Sequence, residues 1–222
     1  MEHTSQASPH RTPVVPDAGD VVGRTPRDVP VPYVARWSSE PCSARGIAVR
    51  AEGTGLCYLD ERHRDRDRHG VLWTRTPQTP GEGRPHFRSM HPARQHRAVQ
   101  GLLCQVCSGP ADRDRHGWLF LLPRTGAEPE GSLCTKPPVC RGCVRLALRH
   151  CPHLGDAVAL RVRKPRVWGV FGDAYVPGPY GRVRRVPSHG YLAYGDTAAP
   201  WFLAVQLVLE LRGVRHVSLP QH

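Results

Sequence analysis

The 222-residue chain has no asparagine, a single isoleucine (Ile47) and only two lysines, Lys136 and Lys164, among its 31 basic residues. Those three residue types have AT-rich codons, whereas arginine, proline, glycine and alanine have GC-rich ones. The formal charge of +12 therefore carries two readings. One is a polyanion-binding surface, since clustered basic side chains release the counterions of a phosphate chain. The other is a solvated arginine-rich surface set by coding bias. Long apolar runs are also missing: the densest, WFLAVQLVLEL at 201–211, falls far short of a membrane span. The N-terminal MEHTSQASPHRTPVVPDAGD lacks the apolar core of a signal peptide, so a cytoplasmic protein is expected. No G-x-G-x-x-G, Walker loop, G-x-S-x-G or H-E-x-x-H occurs, and glycine-rich turns such as GDAYVPGPYG lack the strand–loop–helix context of a phosphate cradle.

The hydrophobic fraction, 39%, is enough for a real core, and the length suits one domain of some size or two small ones. Residues 1–30 are rich in Pro, Ser, Thr and charge without periodicity, which predicts a disordered tail. Residues 31–90 form a β-rich segment of short runs, VPYVARW, GIAVRA, GLCYLD and GVLWTR, followed by the Pro/Gly-rich loop TPQTPGEGRPHF. Residues 91–155 hold the cysteine pairs, a helix-compatible stretch at 92–103 and a second helix with a basic end at 144–150. Residues 156–222 return to strands (DAVALRVRK, VWGVFGDAYV, GRVRRV, GYLAYGD) and close on a predicted buried helix at about 200–212. That helix would open on Pro200 and stop at Gly213, and nine of residues 201–211 are apolar. The expected fold class is α+β: small antiparallel sheets, a zinc-binding segment and a buried C-terminal helix on the same domain.

Eight cysteines in a reducing compartment seldom form disulfides, and C-x-x-C pairs there usually bind metal. The pairs are Cys104-Gln-Val-Cys107 and Cys140-Arg-Gly-Cys143. Each short loop brings two thiolates to one ion at about 2.3 Å, and two loops complete a tetrahedron. Cys107 precedes a Ser-Gly-Pro turn and a candidate hairpin, while Cys140 and Cys143 fall at a helix start. Knuckle, hairpin and a ligand pair at a helix N-terminus is the order of a treble clef. The expectation is one structural Zn2+ per chain on Cys104, Cys107, Cys140 and Cys143, with a closed shell and no catalytic water. Cys134, six residues before Cys140, competes as a ligand. Cys151 would lie about 12 Å along a helix from Cys143 at about 1.5 Å per residue, too far to share an ion. Core packing is the simpler reading for Cys134 and Cys151, and for Cys42 and Cys57 beside strands.

The hexapeptide DRDRHG occurs twice, at 65–70 and 112–117, each time before an apolar run. A calcium loop needs an oxygen ligand at position five and a glutamate at position twelve. His69 or His116 holds the first position, and Thr76 or Pro123 the second, so calcium is rejected. The remaining reading without a site is a turn: aspartate side chains bond to turn amides, and glycine supplies a positive φ before a strand. Thirteen scattered histidines, with His86, His91 and His96 around a helix start, read as surface residues.

Strand alternation places Arg161 and Arg163 opposite Leu160 and Val162, and offers Arg182 and Arg184 likewise. If these strands pair, their arginines would form a patch with Arg141, Arg145 and Arg149 near the zinc, holding phosphate backbones without reading bases.

Two C-x-x-C pairs of this kind resemble the zinc scaffold of HNH-type endonucleases. That resemblance implies a histidine base on the hairpin, an orienting asparagine and a helix histidine. Here His116 is the only histidine between the pairs, no asparagine exists, position 144 is Val, and the nearest helix histidine is His150. The block HPARQHRAVQGLLCQVCSGPADRDRHGWLFLL with PPVCRGCVRLALRHCPHL, and the earlier DRDRHGVLWTR, resemble a group of proteins from high-GC actinobacteria and their mobile elements. That likeness spans most of 31–222 and implies kinship without an activity. The function expected is a zinc-stapled binding protein, more a binding module than an enzyme, whose ligand is DNA, RNA or a partner protein. The alternative is a degenerate or unusual HNH-like metal-dependent endonuclease.

Overall fold

A computed structural model describes residues 29–124, 129–151, 154 and 156–218, so the predicted tail over 1–30 lies almost wholly outside the described residues. The protein is α+β and mostly sheet, with two α-helices among the described residues. Two long strands organise it: β9 (Ala157–Pro177) and β12 (Phe202–Val217), paired antiparallel along most of their length. On the far side of β9 lie β7 (Gly117–Pro123) and then β6 (Arg113–Asp114), with β10 (Val183–Val186) and β11 (Tyr191–Ala193) further along. On the far side of β12 lie β4 (Leu72–Trp73), parallel, and β8 (Leu133–Cys134), antiparallel. The result is one eight-stranded sheet, flanked by two ribbons: β1 (Ala35–Trp37) with β5 (Pro85–Met90), and β2 (Ile47–Val49) with β3 (Leu56–Tyr58).

The C-terminal helix expected at 200–212 is instead strand β12, and the sheets expected to be small include this large one. Pro200 belongs to a 3-10 turn, Ala199–Trp201, and Gly213 (φ 67°) lies inside the strand. A near-continuous apolar run fits a strand buried on both faces as well as a helix buried all round, and periodicity cannot separate them. Neighbours on both edges decided the outcome.

Pro165 interrupts β9 without ending it. Its cross-strand partner is Leu211, whose N–H and C=O both point the other way, to Ser132 O (3.0 Å) and from Gly131 N (2.7 Å). Pro165 therefore sits in a non-hydrogen-bonded pair and aims its missing donor away from β12. That side is open between Val162, where β7 stops pairing, and Gly169, where β11 starts.

Alternation along β7 and β9 sends side chains to two cores. Phe120, Leu160 and Val162 join Leu207, Leu209 and Leu211 on one face, where burying each large side chain contributes about 1.5–3 kcal/mol. Leu119, Leu121, Ala157 and Ala159 face the other way, against Cys104, Val139, Cys143 and Val144. Helix α1 (Pro92–Gln100) is fastened to β12 by buried Gln95. Its amide reads both backbone groups of Leu207, donating to the carbonyl and accepting from the N–H at 2.9 Å each, beside the bulge at 204–206. Among the described residues no helix is long and apolar enough to cross a membrane.

Candidate metal centre and basic surfaces

The Cys104 end of the site is a tight turn. Cys104 N–H donates to Gly109 O (2.7 Å), Ser108 N–H to Cys104 O (2.9 Å), and Val106 N–H to Cys104 Sγ (3.4 Å). Leu102 (φ 47°) and Ser108 (φ 59°) on either side of the pair hold left-handed backbone. After it come the β6–β7 hairpin and then α2 (Arg141–His150), with Cys140 as N-cap in extended conformation and Cys143 in the first turn. The four Sγ atoms lie within 4.8 Å of one another, and Cys107 and Cys140 are 3.9 Å apart. A tetrahedral ion with bonds of about 2.3 Å sets its sulfurs about 3.8 Å apart, so the cluster could hold a metal with small side-chain shifts. Cys104 and Cys143 are buried, Cys140 is half-buried and Cys107 is exposed.

The electrostatics suit a cation. Burial, then the neighbouring sulfurs, drives the Cys143 thiol well above its ordinary value. Burial also lifts Cys104 in spite of amide hydrogen bonds from Cys140, Cys107 and Val106. For Cys107 burial again acts upward, but the Gly109 amide and the neighbouring thiols outweigh it and leave the group more acidic than usual. Four thiolates side by side need a positive charge among them.

Cys134 stands outside this group. It belongs to the opposite core, takes a hydrogen bond from Lys136 N–H (3.3 Å), and burial pushes its thiol up to about 11. Cys151 caps the far end of α2, its N–H on Ala147 O at 2.8 Å. Cys57 is half-buried beside Ala48 O, but Cys42 is exposed, contrary to a core role, because its loop leaves it at the surface near Thr76.

Both DRDRHG copies are turns, and both do structural work of the same kind. In the second copy Asp114 accepts from His116 N–H (2.8 Å), Arg115 reaches the His116 ring (3.0 Å), and Gly117 turns the chain at φ 114°. In the first, Asp67 accepts from His69 N–H (2.9 Å), Arg68 reaches the His69 ring (3.2 Å), and Gly70 turns at φ 78°. The leading aspartate of each holds an arginine: Asp65 takes Arg75 (2.6 and 3.1 Å), and Asp112 takes Arg161. Asp67 carries a further load, accepting from Trp73 Nε1 (3.0 Å) and Tyr194 Oη (2.7 Å), with His69 stacked on Tyr194 at 3.7 Å.

Arg161 is consequently a buried structural residue, 3% exposed, bonded also to Asp114 (3.2 Å) and to the carbonyls of Asp112 and Gly117 (3.1 Å each). Arg163 is exposed and lines a shallow groove of about 410 Å³ with Lys164, Arg166, Glu210 and Arg212. Arg141, Arg145 and Arg149 are exposed along α2, and Arg141 shares Asp112 with Arg161 at 3.3 Å. Arg182 and Arg184 are exposed too, but β10 pairs with residues 174–177 at the far end of β9. From Arg163 to the partner of Arg184, Val176, is roughly 40 Å of strand at about 3.3 Å per residue, so the arginines make two separate surfaces and not one patch.

Among the described residues no second group of three or more His, Cys, Asp or Glu side chains is placed to hold a metal. A buried ionic network escaped the sequence reading. Glu40 and Arg94 form a two-pronged pair (2.6 and 2.7 Å) beside fully buried His91, which caps α1 and donates from Nε2 to Pro77 O (2.8 Å). The sequence separation of 54 between Glu40 and Arg94 hides that pairing from any local pattern. Comparison with family models, curated proteins and solved structures finds no match to this chain.

Proposed function

We propose that this is a zinc-stapled nucleic-acid-binding protein of a reducing compartment, with a treble-clef-like segment over 104–150 closed by one structural Zn2+ on Cys104, Cys107, Cys140 and Cys143. Four thiolate donors at this spacing suit zinc or iron–sulfur iron, and the knuckle and helix-start contexts of the two C-x-x-C loops favour structural zinc. The observation that carries the binding role is the arginine row of α2. Arg141, Arg145 and Arg149 recur every four residues on one helix face, and the row starts at the cysteine cluster. Arg145 and Arg149 are exposed and have no carboxylate partner among the described residues. A metal that fixes the helix N-terminus would hold this row in place, and the groove of Arg163, Lys164, Arg166 and Arg212 adds positive charge elsewhere on the surface. Such contacts hold phosphates without reading bases.

Metal analysis of purified protein should give one zinc per chain, and protein without metal would sink the staple. Titration with DNA and RNA at several salt concentrations should give binding that weakens steeply with salt. The double variant Arg145→Ala, Arg149→Ala should flatten the slope of log K against log salt by about two. No binding at low salt would remove nucleic acid as the ligand and leave a partner protein in its place.

A further inference from the structure

Among the described residues three other than glycine hold left-handed backbone: Leu102, Ser108 and Tyr180. The first two bracket the cysteine knuckle, where the hydrogen-bonded turn of residues 104–109 accounts for them. Tyr180 is far from it in the chain, at the tip of the hairpin joining β9 to β10. With Gly181 (φ 70°) it forms the central pair of a turn closed by Arg182 N–H on Pro179 O at 3.1 Å. Two positive φ values in succession suit Asn-Gly or Gly-Gly, and a bulky ring at the first is disfavoured. Among the described residues no packing of the ring offsets that cost, since Tyr180 is 99% exposed.

The surroundings are just as specific. The ribbon beneath is in register from Val183 opposite Pro177 to Val186 opposite Ala174, and Val183 packs on the cluster of Leu56, Tyr58 and Tyr175. The tip is therefore carried on an anchored arm. Arg185 is neutralised by Asp173 at 2.5 Å. Arg182 and Arg184 are exposed and have no carboxylate partner among the described residues. The arm presents one uncovered aromatic ring at its tip, followed along the outgoing strand by two exposed arginines.

We propose that this tip is a stacking platform for an unpaired base of single-stranded nucleic acid, with the Tyr180 ring against the base and Arg182 and Arg184 on flanking phosphates. The assignment rests on the nucleic-acid reading above and narrows it to strands whose bases are free. A duplex hides its base faces in its own stack and gives the ring nothing to cover, whereas every unpaired base has a π-face and backbone charge within reach of arginine.

The test titrates the full chain with an oligothymidylate of about twelve nucleotides, within the usual site sizes for such surfaces, and with a duplex of equal length. Tyr180→Ala should weaken oligothymidylate binding roughly tenfold or more at unchanged salt slope, Tyr180→Phe should retain it, and duplex binding should not move. Arg182→Ala with Arg184→Ala should instead flatten the salt slope by about two. Tyr180→Ala should melt no lower than the parent, since the ring touches no core. If the parent binds the oligonucleotide and Tyr180→Ala binds it equally well, or if the duplex is preferred, the platform is wrong while the nucleic-acid reading stands. If the parent binds neither, both fall.

Discussion

Gly70 and Gly117 close the two DRDRHG turns with positive φ, 78° and 114°, yet their surroundings differ. A Cβ on Gly70 would meet nothing within 4 Å, while one on Gly117 would collide with the Val162 carbonyl, because β7 crosses β9 there at backbone distance. Gly70→Ala should therefore cost only the left-handed penalty, about 1 kcal/mol. Gly117→Ala adds a forced backbone displacement and should cost about 3 kcal/mol or more. Urea midpoints of the two variants measure the difference, and equal losses would contradict it. The turn itself was legible in the hexapeptide, since aspartate and glycine act there through local chemistry. What Asp112 holds was not: Arg161 alternates along its strand like a surface residue, and only the pairing of β7 with β9 brings it to the carboxylate.

Among the elements, the four-cysteine cluster and both helices could be read because spacing and helix-start signals are local. Strand β12 could not, because its Leu, Ala, Gln and Glu residues favour a helix and its fate depends on partners more than twenty residues away. The same distance conceals the device that docks β1 onto α1. Arg94 grips Glu40 and the Ala35 carbonyl (2.7 Å), and Glu40 also accepts from Trp37 N–H and Thr79 N–H at 2.9 Å each. Burial raises the Glu40 pKa, but Arg94 and the Trp37 amide outweigh it and hold the carboxyl down at about 2. Unfolded, the group titrates near 4.5. As pH falls through that window the unfolded chain takes up a proton that the folded chain refuses, so stability on the order of 3 kcal/mol is present above pH 4.5 and is lost by about pH 2. Burial also holds His91 neutral below its ordinary 6.5, which starts the acid loss at higher pH in the same direction. Glu40→Gln should lower stability at pH 7 by about 3 kcal/mol, by stranding the buried Arg94 charge. It should also flatten the stability curve between pH 4.5 and 2. A variant with the parent's acid slope would place the titrating group elsewhere.

At the scale of the whole molecule the sheet separates two sources of stability. One face carries the larger core, built from β7, β9 and β12 with α1 fastened by Gln95. The other carries a smaller core of Leu119, Leu121, Ala157 and Ala159, roofed by Val139, Val144 and the cysteine cluster. That roof is tied down by scattered backbone hydrogen bonds, from Tyr33 N–H to Val106 O, Val139 N–H to Leu119 O and Asp112 N–H to Val139 O, and by the Arg141–Asp112 pair, but its elements are short. Helix α2 spans only ten residues, below the length at which a helix stands alone in water, and the knuckle contains two left-handed residues. Metal binding at such a site is folding free energy for the elements that supply its ligands. With the proposed zinc bound, chelation should therefore strip amide hydrogen-exchange protection from 104–112 and 139–151 first, while the central amides of β9 and β12 stay slow because the Leu207, Leu209 and Leu211 core does not include the cysteine cluster. Restoring zinc should restore protection in the same two segments. Loss of protection across the whole sheet at once would mean that the staple supports both faces, and unchanged protection at 139–151 would mean that α2 stands without it.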